Sequence, residues 1–227
     1  MLVLAVDTAL AACSVAVLDT DRGSVVGRES LPMVRGQAEV LMPMIERVMR
    51  AAGAEFAALD RVAVTVGPGS FTGLRVGISA ARGIALAAGK PAAGLSTLAA
   101  FAAPYIAADD TAPVIAAIDA RHGQVYLQVF GPAGRTLVSP RIVPVREAIR
   151  AAGDGAIRLT GSGAELIAAE WPPALPLPVV IDARAAPDID WVARLGAAAP
   201  ESQRPPRPLY LRAPDAQPQD AARLPRR

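Results

Sequence analysis

The sequence has very few of the residues that bind metals or form disulfides: one cysteine, Cys13, and one histidine, His122. A single cysteine excludes a disulfide within the chain, which fits a reducing compartment. Catalytic zinc sites commonly use three His, Cys or carboxylate ligands, and neither HxxxH nor HExxH occurs here. A Ser/His/Asp triad would have to use His122, and the GxSxG elbow is absent. We therefore expect neither a zinc hydrolase nor a serine hydrolase.

Charge is also scarce, with a net charge of +2 and Lys90 as the only lysine, so nothing indicates bulk attraction to nucleic acid. The apolar run Met1–Asp7 lacks a basic start and is too short for a signal peptide. The uncharged stretch Pro91–Ala108 contains prolines and is mostly alanine, which is typical of a buried helix and not of a membrane span. We expect a cytoplasmic protein that does not contact a membrane.

The most distinctive stretch is a strand, a glycine-rich turn and a helix. Arg61–Val66 is apolar and β-branched, the turn has glycines at Gly67 and Gly69, and the helix is predicted over Thr72–Ala88. Free N–H groups at a helix N-terminus suit an anion, but the Walker spacing GxxxxGK[ST] is absent. Two interpretations stay open: a phosphate-binding loop, or a turn whose glycines only bring a strand tightly into a helix. The spacing favours the second.

Two aspartates end similar predicted strands. Asp7 follows Leu2–Val6 and Asp119 follows Val114–Ile118, and after each a turn leads to a second strand. Such an aspartate either orients the metal or water of a nucleotide or caps its turn. Asp7, Asp119 and the turn containing Gly67 and Gly69 form the only plausible catalytic constellation, and it lacks an evident general base. The repeated pattern of strand, aspartate, turn and strand also predicts two related lobes.

Two predicted helices have features that one contact with the core does not explain: a wide apolar arc on one, and glycines and other small residues on the other. Gln37–Ala52 has an apolar arc of about 200°, against the ~100° that one contact requires, and it is rich in methionine. Glycines inside Thr72–Ala88 cost about 1 kcal/mol each relative to alanine, so a close contact should offset them. That contact is either within the chain or with a partner protein. The predicted partner interface is Val40, Met42, Met49, Gly73, Gly77, Ala80 and Ile84.

Alternating strands and helices predict an α/β protein with three parts: an N-terminal lobe carrying the partner helices (1–107), a C-terminal lobe (108–200) and a tail (201–227). The predicted helices include Ser96–Ala107, Val145–Ala152 and Ile189–Ala199. The tail holds six arginines and three acidic residues, and we expect it to be partly disordered. The exception is Pro208–Arg212, whose apolar residues are expected to dock.

Several blocks together resemble the bacterial TsaB (YeaZ) family over nearly the whole chain: Leu4-Ala-Val-Asp-Thr-Ala9, Gly67-Pro-Gly-Ser-Phe-Thr-Gly-Leu-Arg-Val-Gly77, Gly94-Leu-Ser-Thr-Leu98, Ala117-Ile-Asp-Ala-Arg121 and Pro208-Leu-Tyr-Leu-Arg212. The resemblance implies a two-lobed actin/Hsp70-like fold, with a mixed sheet packed by helices in each lobe. Many relatives have a histidine where this chain has Gln37, a departure that argues against a catalytic or ligating residue there.

The resemblance further implies a role in making threonylcarbamoyladenosine at position 37 of tRNAs that read ANN codons. The chain would be a non-catalytic subunit that pairs with TsaD through helices of its first lobe, with the ATPase TsaE joining the pair. It would have no cofactor of its own, ATP and metal would lie on the partners, and tRNA contact would be indirect. A homodimer of the free chain stays open as an alternative. The alternative is a stand-alone ATPase or phosphotransferase of the same fold that uses Asp7 and Asp119.

Overall fold

The computed structural model describes residues 1–109, 111–151, 157–201 and 204–212, which form two lobes, each with a five-stranded sheet. The strands are β1 (Leu2–Asp7), β2 (Ala12–Asp19), β3 (Ser24–Pro32), β4 (Arg61–Gly67), β5 (Ala92–Ser96), β6 (Val114–Asp119), β7 (Gln124–Phe130), β8 (Thr136–Pro144), β9 (Arg158–Thr160) and β10 (Val180–Asp182). The helices are α1 (Gln37–Ala51), α2 (Phe71–Ala88), α3 (Thr97–Ala108), α4 (Val145–Arg150), α5 (Ala164–Ala169) and α6 (Ile189–Ala198).

Both sheets have the same topology. The strand order is β3-β2-β1-β4-β5 in the first lobe and β8-β7-β6-β9-β10 in the second. In each sheet the first three strands form an antiparallel meander, and the last two run parallel to the first strand. Asp7 ends the first strand of one sheet and Asp119 ends the first strand of the other. The repeated strand order confirms the two related lobes that the repeated sequence pattern predicted.

The central strand of the first lobe is buried on both faces. Leu4 and Val6 pack with the core under α1 and α2, whereas Val3 and Ala5 pack with α6 on the opposite face. Side chains alternate across a strand, so a strand covered on both faces has a continuous apolar sequence. This explains why the unbroken run Leu2–Val6 forms a strand.

Helices α3 and α6 pack on each other, and each packs largely on the sheet of the lobe to which it was not assigned: α3 on the second sheet and α6 on the first. Phe101 of α3 shares a core with Ile118 and Phe130 of the second sheet. Val192 of α6 packs on the first sheet, where α6 contacts β1, β2 and β4. This corrects the predicted division at 108–200, because α6 was assigned to the second lobe. Periodicity identifies the apolar face of a helix but not the sheet that covers it.

Strand β5 corrects the prediction for Pro91–Ala108. The predicted helix over Ser96–Ala107 is confirmed as α3, but the first residues of the stretch form a strand parallel to β4. Alanine and glycine have low strand propensity, so β5 forms because it pairs with the backbone of β4 beside it. Among the helices of the described ranges, none is long and apolar enough to span a membrane.

The other predicted elements occur close to their predicted bounds. Two predictions fall partly outside the described residues: the end of the helix over Val145–Ala152, and the tail, of which 202–203 and 213–227 are not described. The docking predicted for Pro208–Arg212 is confirmed, because the Leu209 N–H donates to the Val66 carbonyl at 2.7 Å.

Candidate functional site

A cleft of about 580 Å³ lies between the two lobes. Its first-lobe wall is the glycine turn and the start of α2, and its second-lobe wall is the turn after β6. The docked C-terminal segment forms a third wall. The main lining residues are Gly69, Ser70, Phe71, Asp119, Arg121, Tyr126, Leu209, Tyr210 and Arg212.

The glycine turn is closely packed on the chain that follows β1. Gly67 has a φ of 115°, which favours glycine, and a Cβ atom on Gly69 would collide with the carbonyl of Ala9. The Ser70 N–H donates to that same carbonyl at 2.7 Å, and the Ser70 hydroxyl accepts the Gly73 N–H at 3.3 Å. The glycines are thus explained by close packing, and the Ser70 N–H already has a partner. This supports the tight-turn interpretation.

Asp7 is fully buried and does not line the cleft. Its Oδ1 accepts hydrogen bonds from the Ala9 N–H at 3.1 Å and the Thr65 hydroxyl at 2.5 Å. Its Oδ2 has no hydrogen-bond partner among the residues that the structure describes. Burial raises the pKa of this carboxyl, and the two hydrogen bonds oppose the shift only in part. Asp7 therefore stabilises the loop after β1, from a position without access to a ligand in the cleft.

Asp119 is exposed and lies at the cleft wall, together with Gly69. Its Oδ1 accepts the Arg121 N–H at 2.7 Å, and its own N–H donates to the Ser162 hydroxyl at 3.2 Å. Arg121 and His122 both have positive φ, so the side chain of Asp119 stabilises a turn with an unusual backbone. The structure thus brings Gly69 and Asp119 to one cleft but leaves Asp7 outside it.

Neither His122 nor Cys13 belongs to a metal-binding group. His122 is exposed in the β6–β7 turn, and Cys13 is buried in β2 under the first-lobe helices. Within the described ranges, no three His, Cys, Asp or Glu side chains come together in a way that could hold a metal ion.

The two glycines at the start of α2 are explained by contacts within the chain. A Cβ atom on Gly73 would collide with the carbonyl oxygen of Thr8, and one on Gly77 would collide with Thr8 Oγ1. That hydroxyl donates to the Gly73 carbonyl at 2.7 Å. Helix α2 thus approaches the end of β1 at backbone distance. Gly73 and Gly77 face the interior, so the intrachain alternative accounts for them.

The predicted interface residues on α1 do not share one surface. Val40 lies seven residues before Arg47 and therefore on the same side of the helix, and Arg47 pairs with Glu29 of β3 at 2.6 Å. Val40 thus lies toward β3. Met42 is about 200° further round the helix, on the other side, and is 49% exposed, whereas Met49 is buried in the core.

The side of α2 that contacts Thr8 is the side nearer α1, because β1 lies between β2, which α1 covers, and β4, which α2 covers. Ala80 continues that side and is partly exposed, whereas Ile84 is buried. Val76 is also partly exposed and packs on the first-lobe core. We define the α1–α2 surface as Met42, Val76, Ala80 and the exposed Gly83. None of these four residues is charged, but Glu39 and Glu46 lie one turn before and one turn after Met42 on α1.

The sequence did not predict the aromatic wall of the cleft. The ring of Tyr210 stacks on Phe71 with centroids 5.3 Å apart, and the Arg75 guanidinium lies 3.8 Å from the centre of the Phe71 ring. Arg75 Nε also donates to the Tyr210 hydroxyl at 3.1 Å. These residues are 135 positions apart in sequence. The one sequence signal was the apolar block Pro208–Arg212 within a proline-rich tail.

Comparison with known proteins gave a consistent set of relatives. Residues 32–172 match the family model described as TsaD: tRNA N6-adenosine threonylcarbamoyltransferase. The tRNA threonylcarbamoyladenosine biosynthesis protein TsaB of Escherichia coli is 40% identical over 126 residues, which cover 56% of this chain and 53% of that protein. The chain thus spans about half the length of the curated TsaB proteins of E. coli and Haemophilus influenzae that it matches.

Other relatives match over almost their full length. An uncharacterized protein of Mycobacterium tuberculosis is 34% identical over 222 residues, covering 95% of this chain and 94% of that one. The solved structure of YeaZ from Pseudomonas aeruginosa superposes with a TM-score of 0.76 at 28% identity, covering 92% of this chain and 99% of the other. A second structure, described as similar to peptidase YEAZ from P. aeruginosa, has a TM-score of 0.78 at 30% identity, covering 93% and 99%.

Proposed function

Because the chain belongs to the TsaB (YeaZ) family, we propose that it is a non-catalytic subunit of the machinery that makes threonylcarbamoyladenosine in tRNA. In this proposal it pairs with TsaD, and TsaE joins the pair. The complex transfers the threonylcarbamoyl group to N6 of adenosine 37 in tRNAs that read ANN codons. The chain acts in the cytoplasm, needs no cofactor of its own and contacts tRNA only through the complex.

The observation that supports pairing is the uncharged side of α2 that lies toward α1. The charged residues of α2, Arg75 and Arg82, both lie on the side away from α1, while the side toward α1 carries only small or apolar residues. Met42 is half-exposed beside them. Small side chains let a partner helix approach closely, and methionine adapts to the shape of a partner. An apolar surface of this kind is typical of the centre of a protein–protein interface.

Pairing is tested by placing a charge at the centre of this surface. Ala80→Arg would bury an unpaired arginine in the interface, at a cost of roughly 2–5 kcal/mol, or about 30- to 5000-fold in Kd. The control is Leu166→Arg, which adds the same charge at an exposed apolar residue of α5 in the second lobe. Circular dichroism checks that both variants fold.

The measurement is size-exclusion chromatography with light scattering, on this protein alone and mixed with the cognate TsaD. We expect a mixed 1:1 species with the wild type and with Leu166→Arg, and none with Ala80→Arg. If the folded Ala80→Arg variant still pairs with TsaD, the interface does not include the α1–α2 surface. If the wild type gives no mixed species even with TsaE and ATP, the proposed partnership is wrong. The same run on the free protein tests whether it pairs with itself.

The role in the reaction is tested by reconstitution. Cognate TsaD, TsaE, ATP and a threonylcarbamoyl-adenylate source are incubated with tRNA, with and without this chain, and the modified nucleoside is quantified by mass spectrometry. We expect modification to depend on the chain, and full modification without it would contradict the proposal.

The alternative of a stand-alone ATPase requires a carboxylate at the ligand. Asp7 is buried outside the cleft, and both glycines of the turn are used for packing. Asp119 does lie at the cleft wall, but its Oδ1 accepts the Arg121 N–H and so stabilises its own turn. No specific feature of the described cleft therefore favours this alternative over the subunit role. The test of the ATPase alternative is ATP hydrolysis by the isolated protein. Magnesium-dependent hydrolysis that is lost in Asp7→Ala would support this alternative.

A further inference from the structure

We propose that the C-terminal segment Pro208–Arg212 is an intramolecular strap that holds the two lobes at a fixed separation across the cleft. The segment is bonded to both cleft walls, although it follows all the helices and strands in sequence. It is therefore placed to control how far the cleft opens. The proposal does not depend on the function proposed above.

The first-lobe end of the strap is held by backbone and ring contacts. The Leu209 N–H donates to the Val66 carbonyl at 2.7 Å, at the end of β4. The Leu209 carbonyl lies so near Gly67 that a Cβ atom there would be 2.9 Å from it. One residue later, Tyr210 stacks on Phe71 at the start of α2. These contacts fix the strap to the glycine turn and the helix that follows it.

The second-lobe end is held by Arg212. Its guanidinium donates to the carbonyl of Ala120 at 2.8 Å and to Oε1 of Gln124 at 2.5 Å. Ala120 lies in the β6–β7 turn and Gln124 is the first residue of β7, and the Ala120 N–H donates to the Gln124 carbonyl at 3.0 Å to close the turn. A charged donor with two acceptors in fixed geometry makes a strong and directional contact. Arg212 thus joins the strap to the turn that forms the opposite wall.

The strap is important because, among the residues that the structure describes, it provides the hydrogen bonds between the two cleft walls. Among the described residues, no hydrogen bond runs from the β4–α2 turn to the β6–β7 turn. Helix α3 joins the lobes at the base of the cleft, because Ala100 packs with α6 and the first sheet whereas Phe101 packs with the second. Leu10, in the segment after β1, also packs on the second-lobe core, so an apolar contact between the lobes remains when the strap is released. Loss of the hydrogen bonds of the strap would still let the mouth of the cleft widen about the base, as in a hinge.

The test compares Arg212→Ala with Arg207→Ala. Arg207 is an exposed arginine immediately before the strap, and the described residues offer it no hydrogen-bond partner in the second lobe. Spin labels are attached at Arg82→Cys on α2 and Glu165→Cys on α5, both exposed, in a Cys13→Ala background. Pulsed electron paramagnetic resonance then gives the distribution of distances between the lobes. A second release variant, Leu209→Pro, removes the N–H that bonds to Val66.

We expect a single narrow distribution for the parent and for Arg207→Ala, and a broader one extending to longer distances for Arg212→Ala and Leu209→Pro. Hydrogen exchange should show the 120–124 turn exchanging about tenfold faster in Arg212→Ala, which corresponds to ~1.4 kcal/mol. Distributions that are identical in all four proteins would overturn the proposal. If the turn exchanges faster while the distance distribution is unchanged, Arg212 stabilises only the turn, and the strap proposal is also wrong.

Discussion

Replacing Gly77 by alanine asks whether the glycines of α2 are required by the fold of the free chain. If Gly77 served only a partner, alanine would stabilise the isolated protein, because it is the better helix former by about 1 kcal/mol. In the structure, however, the new Cβ atom collides with Thr8 Oγ1, which is buried and bonded to the Gly73 carbonyl. The sign of the stability change therefore separates the two explanations.

The magnitude follows from three contributions. Forcing a methyl group into a packed site costs about 1–3 kcal/mol, and losing the Thr8–Gly73 hydrogen bond costs about 1 kcal/mol. The gain in helix propensity offsets about 1 kcal/mol. We expect a net loss of about 2 kcal/mol, which lowers Tm by about 4–8 °C for a chain of this size. The matched control is Gly83→Ala on the same helix, since a Cβ atom on Gly83 meets nothing within 4 Å. It should raise Tm by about 2–4 °C.

Urea unfolding of the purified protein gives the change in free energy of unfolding for both variants, and thermal unfolding gives the change in Tm; circular dichroism follows both. A second comparison, of Thr8→Ala with the double variant Thr8→Ala/Gly77→Ala, isolates the contact between the new methyl group and Thr8 Oγ1. Without Thr8 Oγ1 the nearest atom to the new methyl group is Val64 Cγ2 at 3.5 Å, an ordinary contact, so the same substitution should be neutral or stabilising. The reasoning is refuted if Gly77→Ala is as stable as Gly83→Ala, or if its cost is unchanged by removing Thr8 Oγ1.

Two further predictions concern buried ionisable groups. Burial raises the pKa of Asp7, so the stability that its protonated form contributes is complete below the unfolded pKa of about 3.9 and is lost as the pH rises from there through the folded pKa. Asp7→Asn cannot ionise, and its stability relative to wild type should increase from pH 4 to pH 8 in urea unfolding; a difference independent of pH would contradict this. Burial, with the charges of Asp7 and Glu29, raises the pKa of Cys13 to about 11. Ellman's reagent at pH 8 should react with it only as fast as the protein opens, and rapid reaction of the native protein would show an accessible thiolate.

The elements were predictable where their sequence pattern has one explanation. Leu2–Val6 is apolar because both faces of β1 are covered, and Arg61–Val66 is β-branched for the same reason. Ser70 and Ser96 stand at helix N-caps, where their hydroxyls accept N–H groups of the first turn. β5 was missed because alanine and glycine are compatible with either element, and pairing with β4 decided between them.

The candidate site was predictable only in part, because its residues meet through contacts far apart in sequence. Asp7 and Asp119 have the same local pattern, yet one is buried and the other exposed. That difference depends on Thr65 and on the packing of the segment after β1, which a strand-ending aspartate does not reveal. The glycines of α2 likewise signalled a close contact without saying whether it was with a partner or with Thr8.

By itself the sequence determined the alternation of strands and helices, the repeat of two lobes, the lack of a histidine- or cysteine-based metal site and the membership of a family. Local propensity, side-chain alternation and short motifs carry that information, since each depends on neighbouring residues. Only the tertiary structure decided that α6 packs on the first sheet, that Gly77 faces Thr8 and that Pro208–Arg212 joins both walls of the cleft. Those contacts link residues from about 60 to more than 100 positions apart. They are set by which surfaces remain uncovered when the two sheets pack, a property that no local stretch of the chain contains.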